Sequence, residues 1–184
     1  VQAHTPLQSS TPAADASVAA PKAIDSVASV TTNGKDGVKL NLAGAGAITL
    51  ADIKQLPRTE MITELKCIEG WSIVVHWAGV RFSDFAAKYY GGDLNRLPPY
   101  VSLVTPDMGY FVGWDTPSIL HPQTLLAYEM NGEPLKPEHG APLRLASPTK
   151  YGIKQIKRIG RIEFTNERPK DFWAEYDYDW YSGH

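Results

Sequence analysis

The chain has 184 residues, 43 % of them apolar and 21 % charged, with a net charge of −2. That composition suits a globular protein long enough to bury a core, and the near balance of charge makes no electrostatic case for nucleic acid as partner. The single cysteine excludes an intramolecular disulfide, and no run reaches the roughly 18 apolar residues that span a bilayer.

Residues 1–36 are rich in Ala, Ser, Thr and Pro and contain no aromatic residue. They predict a leader or tether too polar to offset its own ordering entropy, ahead of a single domain over residues 37–184. Val1-Gln2-Ala3 has the small-residue spacing of a signal-peptidase site, with no basic or apolar region before it. Export with the signal removed and a plain chain boundary both account for it.

Residues 38–42 alternate as a strand, and a turn follows at 44–46. Thr49 suits the N-cap of a helix that runs to 56 and is ended by Pro57. Strands are expected at 59–66 and 71–78, the second a nearly continuous apolar run that reads as buried on both faces. Ser83 reads as the cap of a helix over 84–90 that stops at Gly91-Gly92. Further strands are expected at 100–105, 110–114, 125–130, 143–146 and 159–165. Asn131-Gly132 signals a hairpin into 134–135. This is an α+β pattern, mostly a mixed β-sheet with short helices. The aromatic-acidic tail 171–184 should pack back on the domain.

Cys67 lies between Lys66 and Glu69-Gly70, at the join of two alternating stretches. Its position leaves open a small core residue, a nucleophile or a soft metal ligand. His76, His121 and His139 have no zinc-site spacing, and a G-x-S-x-G element is missing, although a Cys–His hydrolase stays open. If a metal is bound, most of its ligands must come from a cofactor. The stretch 139–158, HGAPLRLASPTKYGIKQIKR, combines glycines with charged donors and suits a phosphate or pyrophosphate. It matches neither the Walker loop nor the dinucleotide fingerprint, and a solvated basic face is the plainer alternative. His76 reads as a satisfied core histidine and His121 as a residue near a pocket mouth. Trp71 and Trp114 read as pocket walls.

CIEGWS at Cys67, LLAYEMNGEPL at 125–135, HGAPLRL at 139–145 and a Gly-x-basic-x-x-Lys element ending at Lys157 together resemble the sulfite oxidase family of molybdopterin-binding domains. The likeness runs over about residues 37–180, and CIEGWS is similar to the branch containing the bacterial periplasmic protein-methionine-sulfoxide reductases. The resemblance implies a sulfite-oxidase-type molybdopterin-binding fold and a molybdenum–molybdopterin cofactor whose metal is ligated by Cys67. His139, Arg144, Lys150, Tyr151, Gly152, Lys154 and Lys157 would hold the pterin and its phosphate, with Lys154 standing where the motif has Arg. Glu69 matches the glutamate beside the metal.

The chain also departs from the sulfite-oxidising members. Asp115 stands in place of a tyrosine, and Glu69-Gly70 in place of sulfite-binding arginines. Glu69 and Asp115 are therefore expected to handle protons, and a neutral S- or N-oxide is expected as substrate rather than sulfite. A non-catalytic cofactor-binding or interaction module of the same fold and a sulfite-oxidising enzyme are the alternatives. No C-x-x-C-H is present, so electrons would pass through a separate redox partner, a haem protein or a membrane subunit. The expected location is the periplasm.

Overall fold

The computed structural model describes residues 29–33, 37–42, 45–90 and 93–184, those before 49 in backbone only. Strands β1 (Ser29–Asn33), β2 (Gly37–Leu42) and β3 (Ala45–Ile48) form a small sheet in that order. β1 thus falls inside the stretch read as leader. Residues 1–28 and the expected Gly91-Gly92 stop lie outside the described residues.

Helix α1 (Leu50–Ile53) is shorter than expected, because beyond Lys54 the bonding tightens to three-residue turns, the Gln55 and Leu56 amides donating to the Asp52 and Ile53 carbonyls, before Pro57. Thr49 accepts from the Asp52 amide at 3.2 Å, and the Asp52 carboxylate accepts from the Thr49 amide at 2.7 Å. Such a reciprocal cap is worth about 1 kcal/mol.

β4 (Arg58–Lys66) and β5 (Ser72–Arg81) then form a long hairpin, Arg58 opposite Val80 and Lys66 opposite Ser72. α2 (Phe82–Tyr89) follows directly on β5. Its N-cap is Arg81, not Ser83, and the Phe82 amide is taken by the Thr124 carbonyl at 2.9 Å. β6 (Tyr100–Val104) and β7 (Phe111–Asp115) lead to the short α3 (Thr116–Ile119). β8 (Leu125–Met130) turns at Asn131-Gly132, both at positive φ, into β9 (Glu133–Pro134) as expected. β10 (Arg144–Ala146) and β11 (Arg161–Thr165) complete the set.

The larger sheet has the order β10-β8-β5-β4, with β9 beside β8, and a second sheet has the order β11-β6-β7. The α+β class with short helices is as expected. Within it, every pairing among the described strands is antiparallel.

Strand parity decides which side chains meet. Val80, Leu126, Tyr128 and Leu145 face the second sheet and join Leu103, Trp114 and Ile162 in the main core. Val75, Trp77, Leu125, Ala127 and Ala146 form a smaller cluster apart from it. Arg144 pairs with Ala127 and lies two residues before Ala146, so its side chain falls on that second face.

The first half of β5 is not buried on both faces. Ile73 is 50 % and Val74 66 % exposed, because the hairpin end carries them beyond the two clusters. Val75 to Ala78 have the expected burial, except that His76 is half-buried and paired with Glu60 at 3.0 Å. It is not a core histidine.

Candidate functional site

A cavity of about 640 Å³ opens on the Trp77 face of the larger sheet. Its wall includes Leu65, Lys66, Cys67, Trp71, Ile73 and Trp77 from the hairpin, His139 and Arg144 from the approach to β10, and Gly152, Gln155 and Lys157 from the loop after it. Two segments separated by about seventy residues of sequence therefore meet at one concave surface.

Cys67 sits where β4 gives way to a tight turn. Its amide donates to the Trp71 carbonyl at 2.8 Å, and the Gly70 amide donates to the Cys67 carbonyl at 3.1 Å. Gly70 takes φ +93°, a value that any side chain would strain. The turn points the half-buried thiol into the cavity and brings Glu69 beside it. Sγ lies 3.7 Å from Glu69 Oε2, and Trp71 Nε1 donates to the same oxygen at 3.4 Å.

Arg144 is the charge at the base of the site. It is 4 % exposed, and its guanidinium donates only to main-chain carbonyls: His139 at 3.1 Å, Gln155 at 3.2 Å and Leu145 at 3.3 Å. No carboxylate pairs with it among the described residues. Burial pulls its pKa down to about 10, which still leaves it charged at neutral pH. A buried cation with no counter-ion suits an anionic group in the cavity.

His139 ends a single 3₁₀ turn, Pro137–His139, and Gly140 after it has φ +98°. A Cβ on Gly140 would lie 2.8 Å from Lys157 Cβ, so glycine is what lets the His139 and Lys157 segments close on each other. Lys157 is exposed and donates to the Glu138 carbonyl at 3.0 Å. Tyr110 also lines the cavity, and burial pushes its pKa up to about 12. Its hydroxyl donates to the Ile153 carbonyl at 2.6 Å.

Six of the residues singled out from sequence line the cavity together: Cys67, Trp71, His139, Arg144, Gly152 and Lys157. Glu69 touches the thiol from the rim. The others are elsewhere. Lys154 is fully buried against Asp171, at 2.5 Å, and the Trp180 carbonyl. Lys150 is 4 % exposed, 3.2 Å from Asp115 Oδ1, and donates to the Tyr181 carbonyl at 2.9 Å. Tyr151 packs on the His184 ring.

Asp115 caps α3 by accepting from the Ser118 amide at 3.0 Å, and it does not line the cavity. Burial raises its pKa, but Ser118 and Lys150 outweigh that and hold the carboxyl below its ordinary value. Trp114 is fully buried in the core and does not wall the cavity, whereas Trp71 does. His121 accepts from the Gln123 amide and is not among the lining residues. The wall residues Trp77 and Gln155 were missed from sequence. For Trp77 the only signal was its parity with Ile73 and Val75 along β5, and for Gln155, in a loop, there was none.

Comparison with known proteins agrees with the geometry. Residues 35–173 match the family described as "Oxidoreductase molybdopterin binding domain". The protein-methionine-sulfoxide reductase catalytic subunit MsrP of Campylobacter jejuni is 37 % identical over 147 residues, covering 70 % of this chain and 48 % of that protein. MsrP of Xanthomonas campestris pv. campestris is 32 % identical over 142 residues, covering 71 % and 44 %. The chain thus spans about half the length of these relatives. In fold it is similar to the sulfane dehydrogenase SoxCD from Paracoccus pantotrophus, with a TM-score of 0.62 at 17 % identity, covering 79 % of this chain and 40 % of that one. A thiol, a bare buried guanidinium and a glycine-closed loop around one cavity, in a chain matched over most of its length, lead to one conclusion: the protein belongs to the oxidoreductase molybdopterin-binding domain family, whose cofactor is molybdenum–molybdopterin.

Proposed function

We propose that this chain is the catalytic portion of a molybdenum-cofactor oxidoreductase that reduces a neutral S- or N-oxide. The observation that carries the reading is the cavity in which Cys67 faces Arg144, His139 and Lys157. The residues fit the cofactor on their own chemistry. Arg144 is a buried cation lacking an anion, and Cys67 supplies a soft thiolate donor open to the cavity.

In this reading Cys67 ligates molybdenum. Arg144, His139 and Lys157 hold the pterin and its phosphate, with Gly152 allowing close approach. The bound group supplies two-electron oxygen-atom transfer, which is chemistry the protein itself lacks. The chain's own residues bind, orient and protonate. Reduction of an S-oxide consumes two electrons and two protons and releases a thioether and water. Glu69, whose Oε2 lies beside Sγ and accepts from the Trp71 indole N–H, would hand a proton to the departing oxygen. Trp71 and Ile73 give the mouth an apolar wall that suits an uncharged substrate.

In this reading the proton role falls to Glu69 alone, because Asp115 is paired with Lys150 and does not line the cavity. The preference for a neutral substrate therefore rests on Glu69 and on the apolar wall. Electrons would come from a separate redox partner, a haem protein or a membrane subunit, and the location would be the periplasm. Two relatives are named as catalytic subunits, which supports a partner. No helix among the described residues is long and apolar enough to cross a membrane.

The test is a pair of steady-state assays on one molybdenum-replete preparation. A methyl sulfoxide with a reduced dye should turn over faster than sulfite with an artificial acceptor. Efficient sulfite oxidation with no oxide reduction would reject the substrate assignment.

A further inference from the structure

Residues 150–157 supply the cavity with Gly152, Gln155 and Lys157 and are fastened from both sides. On the inner side, the Gln155 carbonyl accepts from Arg144, and the Ile153 and Lys154 carbonyls accept from Tyr110 and Trp114. On the outer side runs a strap, residues 169–184. Lys154 donates to Asp171 and to the Trp180 carbonyl, with its ammonium 4.7 Å from the Trp180 ring centroid. Lys150 donates to the Tyr181 carbonyl, the Tyr151 amide donates to the Ser182 carbonyl at 3.0 Å, and Lys150 bridges to Gly183.

The strap is itself set into the domain. Trp180 lies so close to Gly113 that a Cβ there would stand 2.6 Å from the ring, and its indole N–H donates to the Pro169 carbonyl at 2.8 Å. Two ammonium groups buried beneath it have cost their solvation, so their partners hold the two segments in one register. Resting on the cofactor reading above, we propose that the strap, clasped by Lys150 and Lys154, sets the position of the 150–157 loop and, through Gln155 and Arg144, how firmly the cofactor is held. Lys150 and Lys154 are positioning residues in this scheme and touch no ligand.

The bland alternative is that the strap only adds stability, while Tyr110, Trp114 and Arg144 hold the loop unaided. Lys154→Met with Asp171→Asn separates the two, because it replaces the buried ion pair by uncharged groups of similar size and leaves no lone charge. Trp180→Phe, which keeps a ring and loses the bond to Pro169, is the second variant should the first not fold. Ile53→Ala, in the core on α1, whose main-chain hydrogen bonds stay within residues 49–56, measures the effect of general destabilisation.

Two quantities are read on holoprotein purified in parallel: the half-life of bound molybdenum after dilution, and hydrogen exchange at the Lys154 and Gln155 amides. These amides donate to the Tyr151 and Gly152 carbonyls. We expect the strap variants to shorten the half-life and lower protection at those amides by about tenfold each, with β4–β5 protection unchanged and Ile53→Ala showing neither effect. Strap variants that merely track Ile53→Ala in both readouts overturn the proposal. If the parent itself binds no molybdenum, the cofactor reading fails instead, and exchange at the two amides still decides whether the strap positions the loop.

Discussion

Arg144 lies with its guanidinium carbon 4.6 Å from the centroid of the Trp77 ring, so the buried cation of the cavity is seated on an indole face. The ring supplies attraction without neutralising the charge, which is how a cation is kept available for an incoming anion. Arg144→Met should cost the cofactor-free domain about 1–3 kcal/mol, since the relief of a desolvated charge offsets only part of the loss of three hydrogen bonds to main-chain carbonyls. The same change should remove a contact worth roughly 1.5–3 kcal/mol to a bound anion. Thermal melting of cofactor-free protein and molybdenum per chain of isolated protein are the two measurements.

Cys67→Ser should fold normally, because the thiol is only half-buried and its amide bond to Trp71 is kept. Isolated protein should then lack most of its molybdenum and the thiolate-to-metal absorption band. Retention of both would make Cys67 a wall residue and nothing more.

Glu69→Gln keeps a hydrogen-bond acceptor for the Trp71 indole while removing the acidic proton. Turnover of a sulfoxide should fall on the order of 100-fold with KM and molybdenum content little altered. A variant that turns over normally would place the proton source elsewhere.

Two lysines of one loop should behave oppositely. Lys157→Ala, at an exposed position, should cost less than about 0.5 kcal/mol of stability, yet weaken cofactor retention. Lys154→Ala strands the Asp171 carboxylate in a dry site and should cost about 3–5 kcal/mol. Denaturant unfolding of each variant distinguishes them.

Asp115 gives a pH signature. Its folded-state pKa is held below the ordinary value of about 4, so it contributes stability that is present above that value and lost as pH falls through the folded pKa. The Tm difference between the parent and Asp115→Asn should be full near neutrality and shrink as the pH drops below about 4. A difference that stayed constant from neutral to acid would mean that the carboxyl gains nothing from Lys150 and Ser118.

These contrasts show how far residues alone could lead. The cavity's ends were legible because Cys67 and HGAPLR carry their chemistry in adjacent residues. Lys150, Lys154 and Lys157 look alike in sequence, and only partners 17 to 31 residues away decide which of them meets solvent. Asp115 was misplaced for the same reason, since its Lys150 partner is distant in sequence and close in space. The run over 71–78 misled because apolar residues can serve as the wall of a cavity as well as the filling of a core. Ile73 does the former and Val75 the latter.

The strap adds an order of events to this architecture. A chain is synthesised from its N-terminus, so Lys150 and Lys154 emerge well before Asp171, Trp180 and Tyr181 can meet them. Until then the two ammonium groups stay in water and the segment between them has no fixed outer wall. The thiol end of the cavity closes locally, within the Cys67–Trp71 turn. If the strap sets the loop, the opposite end reaches its final shape only after Trp180 and Tyr181 have been made, and a nascent chain short of them exposes a half-built receptacle.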